Sequence, residues 1–254
     1  IVYAVMAQSS VVQLFVAGVV PGIIGGFLMM FAAYIYARRK NLPIEESFNL
    51  VNLRKTAKEA ALAFLLPIII LGGIFGGVVT ATEGAGLAVV AALIIGLIYR
   101  EFDFKRLYQA ATEGAIQTAA VMLLVAASVL LGEFLTVEQI PQKVAESIIE
   151  MTQNKYAVLA ILNVFLLVIG FFLHSVAAII LTVPIVMPLV NAVGIDPVHF
   201  GIIVTLNLAI GQQTPPVASV LVTACSVAKA DIWDVTRANI MFICVLLFLL
   251  MLVT

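Results

Sequence analysis

Charge is what this sequence has least of. Of 254 residues, 13 are Lys or Arg and 14 are Asp or Glu, while 63% are hydrophobic. Mean hydropathy is +1.19. A soluble domain carries about a quarter charged residues, so this balance excludes an ordinary water-soluble domain and describes a chain that crosses a membrane several times. The formal net charge of −1 gives no reason to expect a nucleic-acid partner. Cysteine is scarce as well. Cys225 and Cys244 both lie in apolar runs and neither belongs to a CxxC, which argues against a disulfide or thiolate-metal role and for buried structural thiols. HExxH, GxSxG and a paired intramembrane aspartate signature are missing, which leaves an intramembrane enzyme without support. Apart from Arg237 at the cytoplasmic end of the last one, arginine is missing from the apolar spans, so capture of a carboxylate would need another positive feature, such as the N-terminus of a half-helix. No signal peptide is visible, and Ile1 stands inside an apolar run; the expectation is the C-terminal part of a longer protein.

What is present is a series of apolar runs. Residues 1–8 read as half a helix. Residues 12–37 read as a span ending in Arg38-Arg39-Lys40. Residues 44–60 mix Ile44, Phe48 and Val51 with Arg54, Lys55 and Lys58, the pattern of an interfacial amphipathic helix with a basic end. Residues 61–79 and 84–99 are two membrane segments around the glycine-rich break 72–77. Residues 109–135 are a further span, and 136–155 are polar. The run 156–193 is too long for one straight helix of about 20 residues and is interrupted at Gly170 and Leu173-His174-Ser175. It reads as a hairpin with halves 156–171 and 175–192. Residues 198–228 form a broken helix, and 235–254 the last span.

The break within 198–228 is the most informative stretch: Asn207-Leu-Ala-Ile-Gly-Gln-Gln-Thr-Pro-Pro-Val217. Two consecutive prolines remove two backbone donors and clash with the preceding turn. In lipid each free carbonyl costs several kcal/mol, roughly, unless something satisfies it. A polar break of this kind is tolerated only against protein, water or an ion, which is what a transport site requires.

Orientation follows from the basic residues. With 38–60 placed in the cytoplasm and the hairpin entering and leaving on the outer side, cytoplasmic segments hold 11 of the 13 Lys and Arg residues. The same count results if both hairpin arms span, so the bias sets orientation and not re-entrance. A weak internal repeat is also visible. Residues 1–34 and 221–254 share a plan of half-helix, connection and final span; the first connection is neutral and the second carries Lys229 and Arg237, so the two copies would point oppositely, as in inverted-topology repeats.

Gly194-Ile-Asp-Pro-Val-His-Phe-Gly-Ile-Ile203 together with 207–217 resembles the large membrane subunit of TRAP transporters, the tripartite ATP-independent periplasmic carriers. Gly76-Gly-Val-Val-Thr-Ala-Thr-Glu83 is similar to that family's Gly-x-x-Thr-Pro-Thr-Glu segment, and Pro184-Ile-Val-Met-Pro188 to its Pro-x-x-x-Pro. The resemblance covers the whole chain, as the second repeat and the tail of the first. It implies an all-α polytopic membrane protein of inverted-repeat, elevator-type design, with a re-entrant hairpin and broken helices. On this plan 1–37 ends the first repeat, 38–60 connects, 61–135 supplies scaffold-type spans, 156–228 the transport-domain hairpin and broken helix, and 229–254 the final span. It implies sodium symport of a small organic anion, a dicarboxylate or sugar acid for example. Its partners would be a small membrane subunit, a periplasmic substrate-binding protein and the lipid of a bacterial inner membrane. Three residues depart from the family pattern: His174 stands where an acidic residue is common, Ala81 replaces a proline, and Ala218 stands where a glycine is common.

Sodium favours oxygen ligands, largely carbonyls freed by unwound helix. Gly170, Gly211, Thr214 and Val217 are the candidates, three from the break and one from the hairpin tip. The plainer reading is that the glycines only permit close packing and that Thr214 satisfies a neighbouring carbonyl. His174, Ser175, Asn207, Gln212, Gln213, Pro215 and Pro216 are candidates for the substrate surface, because polar groups at a helix break more often face a cavity than lipid. His174 could instead carry a proton or simply pack. Glu83 is a cavity acid or an ordinary helix-start residue. The rival functions are another sodium- or proton-coupled carrier of the same plan, an intramembrane enzyme, and a purely structural subunit.

Overall fold

The computed structural model describes residues 1–41, 49–100, 103–152, 154–215 and 218–254. Among the described residues all regular structure is helical. Eleven helices follow one another: α1 (Val2–Met6), α2 (Val11–Arg39), α3 (Leu50–Phe75), α4 (Ala81–Ile98), α5 (Phe104–Val137), α6 (Ile140–Met151), α7 (Lys155–Phe172), α8 (Ser175–Ala192), α9 (Pro197–Gly211), α10 (Ser219–Ala228) and α11 (Ile232–Val253). Six of these, α2, α4, α5, α7, α8 and α11, are long and apolar enough to cross a membrane. Helices are the expected solution, because a lipid-facing segment must satisfy its own backbone. The chain is an all-α polytopic membrane protein.

Two compact units form, residues 1–39 with 120–254, and residues 40–119. In the smaller unit α3 and α4 make an antiparallel hairpin in which Gly84 faces Ile70 and Ile74. Gly77, at φ 66°, turns the chain between them. Thr80 and Glu83 then form a capping box: the Glu83 carboxylate accepts from Thr80 N–H at 2.7 Å, and Thr80 Oγ1 accepts from Glu83 N–H at 3.3 Å. Glu83 is thereby a helix-start residue.

Two stretches differ from expectation. The amphipathic reading of 44–60 lies outside the described residues as far as Phe48. From Leu50 the helix runs on to Phe75 without interruption, so the charged turns and the apolar turns share one helix. Asn49 starts it by accepting from Val51 N–H at 2.9 Å. Residues 136–155, polar in sequence, contain α6, with Pro141 in its first turn. Its packed stripe (Pro141, Ala145, Ile148, Ile149) is interleaved with Lys143, Glu146 and Glu150, which hides a short amphipathic helix from a reading tuned to long apolar runs.

The larger unit is built around α9. Phe200, Ile203 and Val204 are fully buried there, enclosed by α7, α8, α2 and α11. Three contacts fix α9 at its first turns. Asp196 caps it, accepting from Val198 and His199 N–H at 2.9 Å each. Tyr3 of α1 donates its hydroxyl to Pro197 O at 2.6 Å, and its ring lies against Gly201 so closely that a Cβ there would sit 2.5 Å from Tyr3 Cε1. The His199 ring nitrogen Nε2 lies 2.6 Å from Val253 O at the end of α11. Small residues serve helix approach elsewhere too, as membrane packing favours: Gly25 of α2 faces Leu249 of α11. Each end of the chain has the half-helix and span plan, α1 with α2 and α10 with α11, and the two long helices pack together. Large apolar side chains such as Phe27 and Phe31 stay exposed, as lipid solvent allows. Cys225 is buried as expected, whereas Cys244 is exposed on α11; the apolar run around it marks membrane depth and not which face turns inward.

Candidate functional site

The hairpin tip and the helix break meet. A Cβ placed on Gly211 would lie 2.6 Å from Gly170 C and Cα and 2.9 Å from Gly170 O. No real Cβ makes such an approach to backbone, so the two main chains touch only because Gly211 has no side chain. A Cβ on Gly170 would be less crowded, 3.2 Å from Gly211 Cα and 3.4 Å from Leu208 Cδ2.

The direction of the helices gives this contact its chemistry. Asn163 of α7 meets Asn207 of α9, and further along Gly170 meets Gly211, so the two helices run the same way and end together. The last four carbonyls of a helix lack intrahelical partners, and each C-terminus carries about half a negative charge. Two such ends therefore converge at Gly170 and Gly211. Beyond each break the chain restarts with a helix N-terminus of opposite polarity. α8 begins after Leu173 and His174, both extended, and α10 after Ala218; neither His174 nor Ala218 makes a side-chain cap.

The side chains at the contact tie tip to break. Gln212, buried at 8% exposure, donates from Nε2 to Ser175 Oγ. Thr214 closes the end of α9: its N–H donates to Gly211 O at 3.0 Å and its hydroxyl to Ile210 O at 2.9 Å. That is the neighbour-satisfying role; the hydroxyl oxygen keeps its lone pairs for a further contact. Gln213 leans the other way. Its Nε2 donates to Ala209 O at 3.3 Å, and its Oε1 accepts from Asn239 of α11 at 3.4 Å. His174 and Pro215 are exposed. Pro216 and Val217 lie outside the described residues.

Asn207 sits apart from the tip. It is fully buried one turn before the break, where Nδ2 donates to Asn163 Oδ1 at 2.7 Å and to Ile203 O at 2.9 Å. Asn163 continues the chain to Thr254 Oγ1 at 3.0 Å. Asn207 Oδ1 has no hydrogen-bond partner among the described residues, an arrangement that costs about 1–3 kcal/mol. Asn163 and Asn239 were missed by the sequence search for helix breaks. A lone amide inside an apolar run was the available signal.

Ala218 has φ 42° and is buried. This left-handed geometry suits glycine and costs an alanine about 1 kcal/mol, which is the physical meaning of the departure noted at this position. Beside it a cavity of about 410 Å³ is lined by Pro215, Ala218, Leu221, Trp233 and Thr236, among others. Its one hydroxyl, Thr236, already donates to Ile232 O at 2.6 Å, which leaves the Trp233 indole N–H as the side-chain donor in these walls. Further polar groups that could meet a carboxylate are at the tip.

Residues 1–254 match the family model described as tripartite ATP-independent periplasmic transporter, DctM component. The isethionate TRAP transporter permease protein DctMQ of Oleidesulfovibrio alaskensis is 39% identical over 256 residues, covering 100% of this chain and 40% of that protein. The C4-dicarboxylate TRAP transporter large permease protein DctM of Pseudomonas aeruginosa is 36% identical, covering 100% of this chain and 60% of that one. The sialic acid TRAP transporter large permease protein SiaM of Vibrio cholerae is 34% identical, covering 93% and 56%. The chain spans about half the length of the curated relatives it matches.

Proposed function

The chain belongs to the family of the DctM component of tripartite ATP-independent periplasmic transporters, and from this membership we propose that it forms part of the membrane subunit of a sodium-coupled carrier importing a small organic anion. Its place is the inner membrane, and its relatives are named as permeases, not enzymes. A periplasmic binding protein delivers the anion, and a small membrane subunit completes the complex.

The observation that supports this reading best is the meeting of two helix C-termini at Gly170 and Gly211. Converging carbonyl dipoles suit a hard monovalent cation that takes oxygen ligands. Sodium held there by Gly170, Gly211, Thr214 and the adjoining Val217 would neutralise the two negative ends. The uncapped N-termini of α8 and α10 then supply the positive side for the anion. Ser175, Gln212, His174, Gln213 and the Pro215-Pro216 turn form the surface it meets, with Asn207 supporting the break from the core. The α7–α8 hairpin enters and leaves on the same side in this reading.

The test is uptake by the complete complex in proteoliposomes, with its binding protein loaded with substrate outside. Uptake should require an inward sodium gradient and vanish when potassium replaces sodium. Equal uptake in potassium, or uptake driven by a proton gradient alone, would contradict the coupling ion.

A further inference from the structure

We propose that one end of the residue 40–119 unit is a binding surface for anionic phospholipid headgroups. Arg54, Lys55 and Lys58 are exposed on α3, within about 100° of arc at the helical turn angle. The helix then passes without a break into Phe64–Phe75, an apolar stretch. The hydrocarbon boundary must fall between Lys58 and Phe64, so these three cations sit at headgroup depth.

The same end gathers more positive charge. Gly84 faces Ile70 and Ile74, and carried along both helices at their common rise this pairing brings Ile98 level with Lys58. Arg100 follows α4 directly, and Lys105 and Arg106 open α5 a few residues later, within about 20 Å of chain. Asp103 offsets part of this: it accepts from Lys105 N–H at 3.0 Å and lies 3.8 Å from Arg106. In sequence, Glu45, Glu46, Glu59 and Glu101 offset more and Lys40 adds one, leaving two net positive charges over segments 40–59 and 99–108.

A solvated charged face would not need what accompanies it. Leu50, Val51, Phe104 and Tyr108 are between 71% and 75% exposed, beside the cations and at the same end. Apolar and aromatic side chains interleaved with cations at the edge of an apolar helix are the chemistry of a membrane interface carrying negative lipid. A soluble acidic partner would meet the charges and leave those side chains in water.

The test uses the complete complex with Trp233 and every other tryptophan of the complex replaced by Phe and with Phe104→Trp, which leaves a single reporter at this end. Quenching by brominated phosphatidylglycerol is compared with quenching by brominated phosphatidylcholine in mixed bilayers. We expect a preference for phosphatidylglycerol of about fivefold or more, the size of one cation–headgroup contact. It should fall towards parity in the Arg54→Gln, Lys55→Gln, Lys58→Gln variant, and in the unsubstituted surface as potassium chloride rises. Free inorganic phosphate at matched ionic strength should not displace the lipid. Equal quenching by the two lipids, a preference indifferent to both the substitutions and salt, or displacement by phosphate would each overturn the proposal.

Discussion

Gly211→Ala is expected to reduce uptake to background in a protein that still folds and assembles, whereas Gly170→Ala should retain a substantial share. The asymmetry comes from what each new methyl meets. On Gly211 it would sit 2.6 Å from two backbone atoms of Gly170, and backbone at a hairpin tip cannot swing aside as a side chain can. On Gly170 the nearest atoms are at 3.2 and 3.4 Å, and one belongs to the flexible Leu208 side chain. Overpacking costs about 1–3 kcal/mol, which lowers the population of the closed tip and break by about 5-fold to 160-fold. The rest of the α9 core is untouched. Uptake should therefore fall far more than the amount of complex recovered in the membrane. Equal activity of the two alanine variants would show that the contact is not needed, and a Gly170→Ala defect exceeding that of Gly211→Ala would contradict the geometry.

Much of this contact was legible in the sequence, for definite reasons. Gly170, Leu173-His174-Ser175 and Gly211-Gln-Gln-Thr-Pro215 are polar or conformationally special residues in runs that lipid would otherwise keep uniform. Such exceptions are conspicuous against an apolar background. The helix arms followed from the same contrast: 156–171 and 175–192 in sequence became Lys155–Phe172 and Ser175–Ala192. The interior was harder to read. Nothing in the run around Asn163 says that its amide meets Asn207, because partner choice depends on two helices ending side by side. Asn207 itself was grouped with the break by proximity in sequence, yet one helical turn turns it into the core between α7 and α9. Helix α6 was hidden because its apolar residues come in short pairs, Val144-Ala145 and Ile148-Ile149, parted by charged ones, so no long apolar run marks it.

Thr214 offers the second large effect. Its hydroxyl donates to Ile210 O, so Thr214→Ala and Thr214→Val both lose a local hydrogen bond worth about 1 kcal/mol to folding. If that were all, sodium dependence would not move. If the oxygen also faces sodium, each variant loses a contact to a charge, worth about 1.5–3 kcal/mol. Half-saturating sodium should then rise about tenfold or more. Thr214→Ser keeps the oxygen and should behave like the parent. A change shared by Ala and Val and absent in Ser would identify the oxygen as the cause. Unchanged sodium dependence in both Ala and Val would remove the Thr214 side chain from the ion site and leave only its backbone as a ligand.

The claim that tip and break together hold sodium can be read most directly at His174, which is exposed at the tip. With Cys225, Cys244 and every other cysteine of the complex replaced by Ala and His174→Cys as the only thiol, maleimide labelling of the purified complete complex reports the state of the tip without transport. Sodium is expected to slow labelling about fivefold or more relative to potassium at equal ionic strength, a shift of about 1 kcal/mol between open and closed tip. Gly211→Ala should remove the difference. The same labelling rate in sodium and potassium, with Gly211 intact, would contradict it.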